Sequence, residues 1–155
     1  MKFKHVNSLI FVLLIIISSN FVVAMTDEEE ALSILKEYYE ASSEGDVNKY
    51  LEVQDPLFIK QIEEESGLIA KDFYEYTFSQ VKTKNIKIFD EKVFIENNTA
   101  LIYYSLSGDY EIKDGDSGSI NNDMVAFLWK YDSWKVRWTI TRSLYDKKIG
   151  MSYAA

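Results

Sequence analysis

Cysteine is absent from this 155-residue chain, histidine occurs once, as His5, and proline once, as Pro56. Without cysteine there is no disulfide, no thiolate metal ligand and no cysteine nucleophile. The one histidine lies in the first 24 residues, so the rest of the chain cannot build a Ser-His-Asp triad or an imidazole metal site. A single proline leaves little for a stiff linker. Positive charge is also scarce, with 17 Lys+Arg against 25 Asp+Glu. Lys2 and Lys4 fall in the first 24 residues, so the other 131 carry 15 basic side chains and 25 acidic ones, a formal charge of −10. Nucleic acid is therefore an unsuited partner, because its phosphates need Lys and Arg.

What is present is apolar and aromatic. Hydrophobic residues make up 47% of the chain and aromatic ones 15%, enough to exclude disorder. Met1–Ala24 reads as a secretory signal: Lys2 and Lys4, then the apolar run Leu9–Ile17, then Val22-Val23-Ala24 at a cleavage site. The run is short against the roughly 20 apolar residues of a membrane span. The alternative is an uncleaved N-terminal anchor, the only membrane contact expected. These features predict a secreted or periplasmic (extracytoplasmic) protein with one domain over 25–155.

Thr26-Asp27-Glu28-Glu29 has the form of a capping box, and Ala31, Leu32, Ile34, Leu35, Tyr38 and Tyr39 follow at helical spacing. Gly45 stops this helix, Asp46 caps a short second one, and Asp55-Pro56 starts a third that ends at Gly67. Leu57, Phe58 and Ile62 are expected to face inward, and 68–80 to form a fourth helix. The triplet Glu63-Glu64-Glu65 reads as a solvated helix end. After Lys84, β-branched and aromatic runs predict four strands, about 85–95, 99–112, 119–131 and 134–144. Helices first and a strand meander afterwards predict an α+β domain with an antiparallel sheet.

Register arithmetic places candidate residues. A two-residue loop at Asp132-Ser133 pairs Tyr131 with Trp134, Trp129 with Val136, Phe127 with Trp138 and Val125 with Ile140, all on one face. This is the expected core face, with Asp123 opposite Arg142 as a charged pair at a pocket mouth. Leu128, Arg137 and Thr139 then fall on the outer face, a candidate homodimer surface. In the first hairpin, Val93 pairs with Ile102 and Glu91 with Tyr104. A buried Glu91 beside a tyrosine would have a raised pKa and suit general acid–base work, whereas a bulge at Asp90-Glu91 would turn it away.

The stretch EEEALSILKEYYEASSEGDVNKYLEVQDP and the closing VAFLWKYDSWKVRWTIT resemble the nuclear transport factor 2-like superfamily, over most of residues 26–145. The resemblance implies a strongly curved four-stranded sheet wrapped around helices into a cone. It also implies a pocket in the cone and an outer sheet face that often dimerises. Its members include ketosteroid isomerase, scytalone dehydratase, limonene epoxide hydrolase and polyketide cyclases, besides binding proteins. No motif of those enzymes aligns residue by residue, so no catalytic residue is carried over.

The expected function is non-catalytic binding of a small apolar or aromatic ligand, or of a protein partner. The alternatives are a carboxylate/tyrosine isomerase, dehydratase or hydrolase using Glu91, and a dimeric interaction module. The candidate ligand-binding set is Tyr38, Glu91, Tyr104, Asp123, Phe127, Trp138 and Arg142, with no cofactor and no metal. Asp114–Gly118 (DGDSG) hints at a calcium loop, but Ser119 and Val125 stand where glycine and a bidentate glutamate are needed, so it reads as a hairpin turn. Asn97-Asn98-Thr99 fits a glycosylation sequon on a turn.

Overall fold

The computed structural model describes residues 25–153, and side chains as far as Lys147. The Met1–Ala24 stretch, expected from the sequence to be a secretory signal, lies outside the described residues. Among those described, no helix is long and apolar enough to cross a membrane. The order is α1 (Asp27–Glu44), α2 (Val47–Val53), α3 (Pro56–Ser66), α4 (Ala70–Gln80), β1 (Val81–Glu96), β2 (Thr99–Ile112), β3 (Ser117–Lys130), β4 (Trp134–Thr141) and α5 (Arg142–Tyr153).

The helix ends sit where short-range chemistry puts them. Thr26 Oγ1 accepts from the Glu29 N–H at 3.2 Å, and Glu29 Oε2 accepts from the Thr26 N–H at 2.9 Å. Gly45, at φ 72°, closes α1 in the left-handed region. Asp46 caps α2, and Asp55 caps α3 with Pro56 just inside it. Helix α4 lacks a side-chain cap of its own; the Ala70 N–H is met by Glu63 Oε1 at 2.9 Å. Glu63 thus serves a neighbouring helix rather than only facing solvent. Leu57 departs from expectation: it is exposed, because α3 buries no residue fully and lies on the rim of the helical layer.

The four strands form one antiparallel sheet in the order β1-β2-β3-β4. Helix α1 crosses one face, called inner here, and rests on Ala100, Ile102, Ala126, Leu128, Trp134 and Val136. A second cluster joins Ala41 of α1 to Val47, Tyr50, Ala70 and Tyr74. The last expected strand is shorter than predicted. It stops at Thr141, where the β-branched run ends, and Arg142 begins α5, whose first turn pairs Arg142 with Asp146.

Three register shifts correct the pairing. Phe127–Trp138 and Val125–Ile140 pair as expected, but nearer the turn Leu128 pairs with Val136 and Lys130 with Trp134. The loop has three residues, Tyr131 to Ser133, and Arg137 is the extra residue of a bulge. In β1, Val93–Ile102 holds, and the pairing then shifts between Phe89 and Lys92 and again between Lys84 and Lys87. Asp90 and Asn85 sit at these shifts with φ near 55°.

The expected core face is inverted on β3. Met124, Ala126 and Leu128 face α1, while Phe127 and Trp129 point to the opposite, outer face with Trp138. Ala100 and Ala126 let the helix approach the middle of the sheet closely, while the rings of Phe127, Trp129 and Trp138 lie on the other side. Tyr104 is inner, so it does not share a face with Trp129 and Trp138.

Candidate functional site

The inner candidates meet in a tyrosine cluster. The Tyr50 hydroxyl donates to Tyr38 Oη at 2.6 Å, and the Tyr39 and Tyr104 hydroxyls lie 2.7 Å apart. Burial pushes Tyr38 up to about 12 and raises Tyr39, Tyr50 and Tyr104 too. These phenols are neutral hydrogen-bonding groups at ordinary pH. Beside them, a cleft of about 840 Å³ runs between α1 and β1, with Lys36, Glu37 and Glu40 on one wall and Ile86 and Ile88 on the other.

Glu91 is not in the environment the register arithmetic gave it. The bulge at Asp90-Glu91 takes it out of line with Tyr104, and it pairs with Lys36 at 3.1 Å. Its own backbone N–H, and then Lys36, hold its carboxyl below the ordinary value despite some burial. The poised, raised carboxyl required of a general base is missing.

The outer candidates make a separate site. Phe127 and Trp138 stack, with ring centroids 5.4 Å apart and planes 16° from parallel. Trp138 meets Tyr145 of α5 at 6.1 Å, Tyr145 meets Tyr103 at 6.2 Å, and Tyr103 meets Phe94 at 5.8 Å. Trp129 extends the band from Phe127 at 6.3 Å. Six rings from all four strands and α5 therefore touch in series. A groove of about 590 Å³ opens along them, floored by Leu101, Phe127 and Trp138 and edged by Phe94, Tyr145 and Thr99.

Asp123 and Arg142 do not pair. Asp123 accepts from Ser105 Oγ at 3.0 Å, while Arg142 reaches Asp146 at 3.7 Å and lies 5.4 Å from the Tyr103 ring centre. The beginning of α5 at Arg142 turns that side chain along the helix. The expected dimer set is also divided. Leu128 is fully buried under α1, Thr139 faces inward opposite Ala126, and Arg137 sits in the bulge 3.5 Å from Asp55.

The predicted site thus splits into Tyr38, Glu91 and Tyr104 on one side of the sheet and Asp123, Phe127, Trp138 and Arg142 on the other. Sequence reading missed Phe94, Leu101, Tyr103 and Tyr145. The first three alternate with core residues along β1 and β2, a signal for a second apolar face. Tyr145 carried no signal, falling just past the expected end of the last strand at 144.

No protein-family model and no curated protein sequence matches the chain. Solved structures do. A ketosteroid isomerase-like protein from Erwinia carotovora atroseptica superposes with a TM-score of 0.54 at 14% identity, covering 73% of this chain and 92% of that one. An NTF2-like (nuclear transport factor 2-like) protein from Cytophaga hutchinsonii gives 0.53 at 18% identity, covering 74% and 96%. The CaMKII hub from S. rosetta gives 0.54 at 18% identity, covering 76% and 96%. With its helices followed by a four-stranded antiparallel meander, the chain has the nuclear transport factor 2-like fold.

Proposed function

We propose that this protein is an exported binding domain that takes a small apolar or aromatic ligand in the groove beneath α5, without catalysis. The observation that carries the reading is the unbroken band of six rings on the outer sheet face. Its groove has the volume and lining of a small-molecule site, with aromatic and aliphatic walls and few polar groups. Glu91, the one carboxylate singled out for acid–base work, is ion-paired and held below its ordinary pKa, which favours binding over turnover. Export rests on the Met1–Ala24 pattern.

The test is a fluorescence titration with N-phenyl-1-naphthylamine, a neutral apolar probe. Saturable binding that weakens about tenfold in Trp138→Ala fits the reading, ten-fold being about 1.4 kcal/mol of lost contact. Absence of binding, or equal affinity in the variant, removes it. Turnover of a small substrate that vanishes in Glu91→Gln would replace it with the enzyme reading.

A second reading is self-association through the same band. Phe94 and Trp129 favour it, since they are 57% and 37% exposed at the two ends of the ring series. The likeness to a hub domain supports it at the level of fold.

A further inference from the structure

The outer sheet face changes character halfway along. Beyond Tyr103 and Val125 the cross-strand pairs are Ser105–Asp123, Ser107–Asn121 and Asp109–Ser119. All six side chains point to the same side, because alternate residues of a strand share a face. Serine, asparagine and aspartate are poor strand formers, on a scale spanning about 1 kcal/mol per residue. Strand edges are often given polar residues to block stray pairing, but β2 and β3 are the two central strands. Polar side chains are ordinary on the solvated face of an antiparallel sheet, but three successive serine, asparagine and aspartate pairs in the central strands run against local propensity.

The short side chains leave a trough of about 500 Å³, which takes in Ser107, Asp109, Ser119 and Asn121. The bulge at Asn85 closes one side: Asn85 Nδ2 donates to Asp109 Oδ2 at 2.8 Å, and Ser119 Oγ donates to Asp109 Oδ1 at 3.4 Å. Each bond uses only part of the acceptor capacity of a carboxylate. Ser107 and Asn121 have no side-chain partner among the described residues and offer donors and acceptors outward. Phe89 stands at the trough's edge, 40% exposed.

We propose that this trough binds a neutral oligosaccharide. A sugar ring needs many directional hydrogen bonds at once, to acceptors and donors placed at close spacing, and it presents an apolar face of C–H groups that packs on an aromatic ring. Asp109 supplies acceptors, Ser107, Ser119 and Asn121 supply both kinds of group, and Phe89 supplies the ring. Charge selects against the other polar candidates. The Asp109 carboxylate in the trough, Asp123 farther along the same face and a net charge of −8 repel an acidic glycan, with Lys87 the one cation among the residues lining the trough. Among the described residues no three metal-ligating side chains converge, so the carboxylates do not form an ion cage.

The site is separate from the aromatic groove, and the test keeps the two apart. The protein is titrated calorimetrically with cellohexaose, xylohexaose, maltohexaose and the hexamer of N-acetylglucosamine, and with hexagalacturonate as the acidic counterpart. Saturable binding of at least one neutral hexasaccharide is expected, with none of hexagalacturonate. Affinity should fall about tenfold in Phe89→Ala and in Asn121→Ala and stay unchanged in Trp138→Ala. Both changed residues are exposed, and an unaltered circular dichroism spectrum checks that the fold is kept. Failure of all four neutral sugars to bind overturns the inference, as does binding that both trough variants leave intact. Either result leaves the ligand groove beneath α5 standing.

Discussion

Five phenols, those of Tyr38, Tyr39, Tyr50, Tyr74 and Tyr104, crowd the interior between α1, α2, α4 and β2. Burial raises all of them, Tyr38 and Tyr74 to about 12. Below pH 10 the phenols are neutral in folded and unfolded chains alike, and they add no pH dependence. Above it the unfolded chain loses protons that the folded one keeps, so stability falls by about 1.4 kcal/mol per pH unit for each such group. The melting temperature should therefore drop between pH 10 and pH 12, and phenolate absorbance should rise in two stages, the second together with loss of the circular dichroism signal. Ionisation of every tyrosine near pH 10 in a folded protein would contradict this. The depressed Glu91 carboxyl works in the opposite direction: its contribution is present above its ordinary value and lost as pH falls through the folded one. Lys36 is half exposed, so Glu91→Gln should cost less than about 1 kcal/mol by urea denaturation. Tyr38 and Tyr104 could be placed inside from the sequence because helical spacing and strand alternation both bear on them. The surroundings of Glu91 could not, because they depend on a bulge at Asp90 that alternation does not reveal.

Helix boundaries were legible because their causes are local. A capping box, two aspartates at N-caps, one proline and two left-handed glycines each act within a few residues. Asp55 is fully buried, and it accepts the Leu57 N–H at 2.7 Å and the Tyr131 hydroxyl at 3.3 Å, tying α3 to the β3–β4 turn. Asp55→Ala removes the cap and leaves partly buried donors unpaired, so a loss of about 2 kcal/mol is expected, with Asp55→Asn milder. Turn positions and strand order were also legible. Facing and register were not: the run Met124–Trp129 is apolar at every position, so alternation cannot say which side packs on α1. Each β1 bulge inserts a residue that only the partner strand reveals. The bulge at Asn85-Ile86 depends on Gly108, where a Cβ would come within 2.6 Å of Ile86 Cδ1 and 3.0 Å of the Lys84 carbonyl. Gly108→Ala should then lower stability by about 1–3 kcal/mol, read from the urea midpoint. A neutral result would mean that β1 shifts freely at this point.

One side of the sheet is closed by α1, while the other is covered only in part. Val125, on the outer face, is fully buried, and α5 lies over this end of β3 and β4, but Phe94 and Trp129 remain open to solvent beside it. An apolar band left in this way has two uses, a ligand or a second copy, and the two compete for the same rings. Competition has a thermodynamic signature. Whatever binds only the separated chain draws the equilibrium toward it, by an amount set by ligand concentration over its dissociation constant. A stable homodimer needs about 800 Å² from each partner, more than the groove alone, so Phe94 and Trp129 would both lie inside the interface. Phe94→Lys should therefore abolish a dimer by burying an unpaired charge, yet weaken N-phenyl-1-naphthylamine binding only modestly, because Phe94 edges the groove and does not floor it. Light scattering with and without the probe distinguishes the cases. A dimer that dissociates as the probe saturates places both functions on one surface. A monomer at high concentration that still binds the probe leaves the ligand reading alone. A dimer that neither the probe nor Phe94→Lys disturbs shows that the copies meet elsewhere and that the ring band is not their interface.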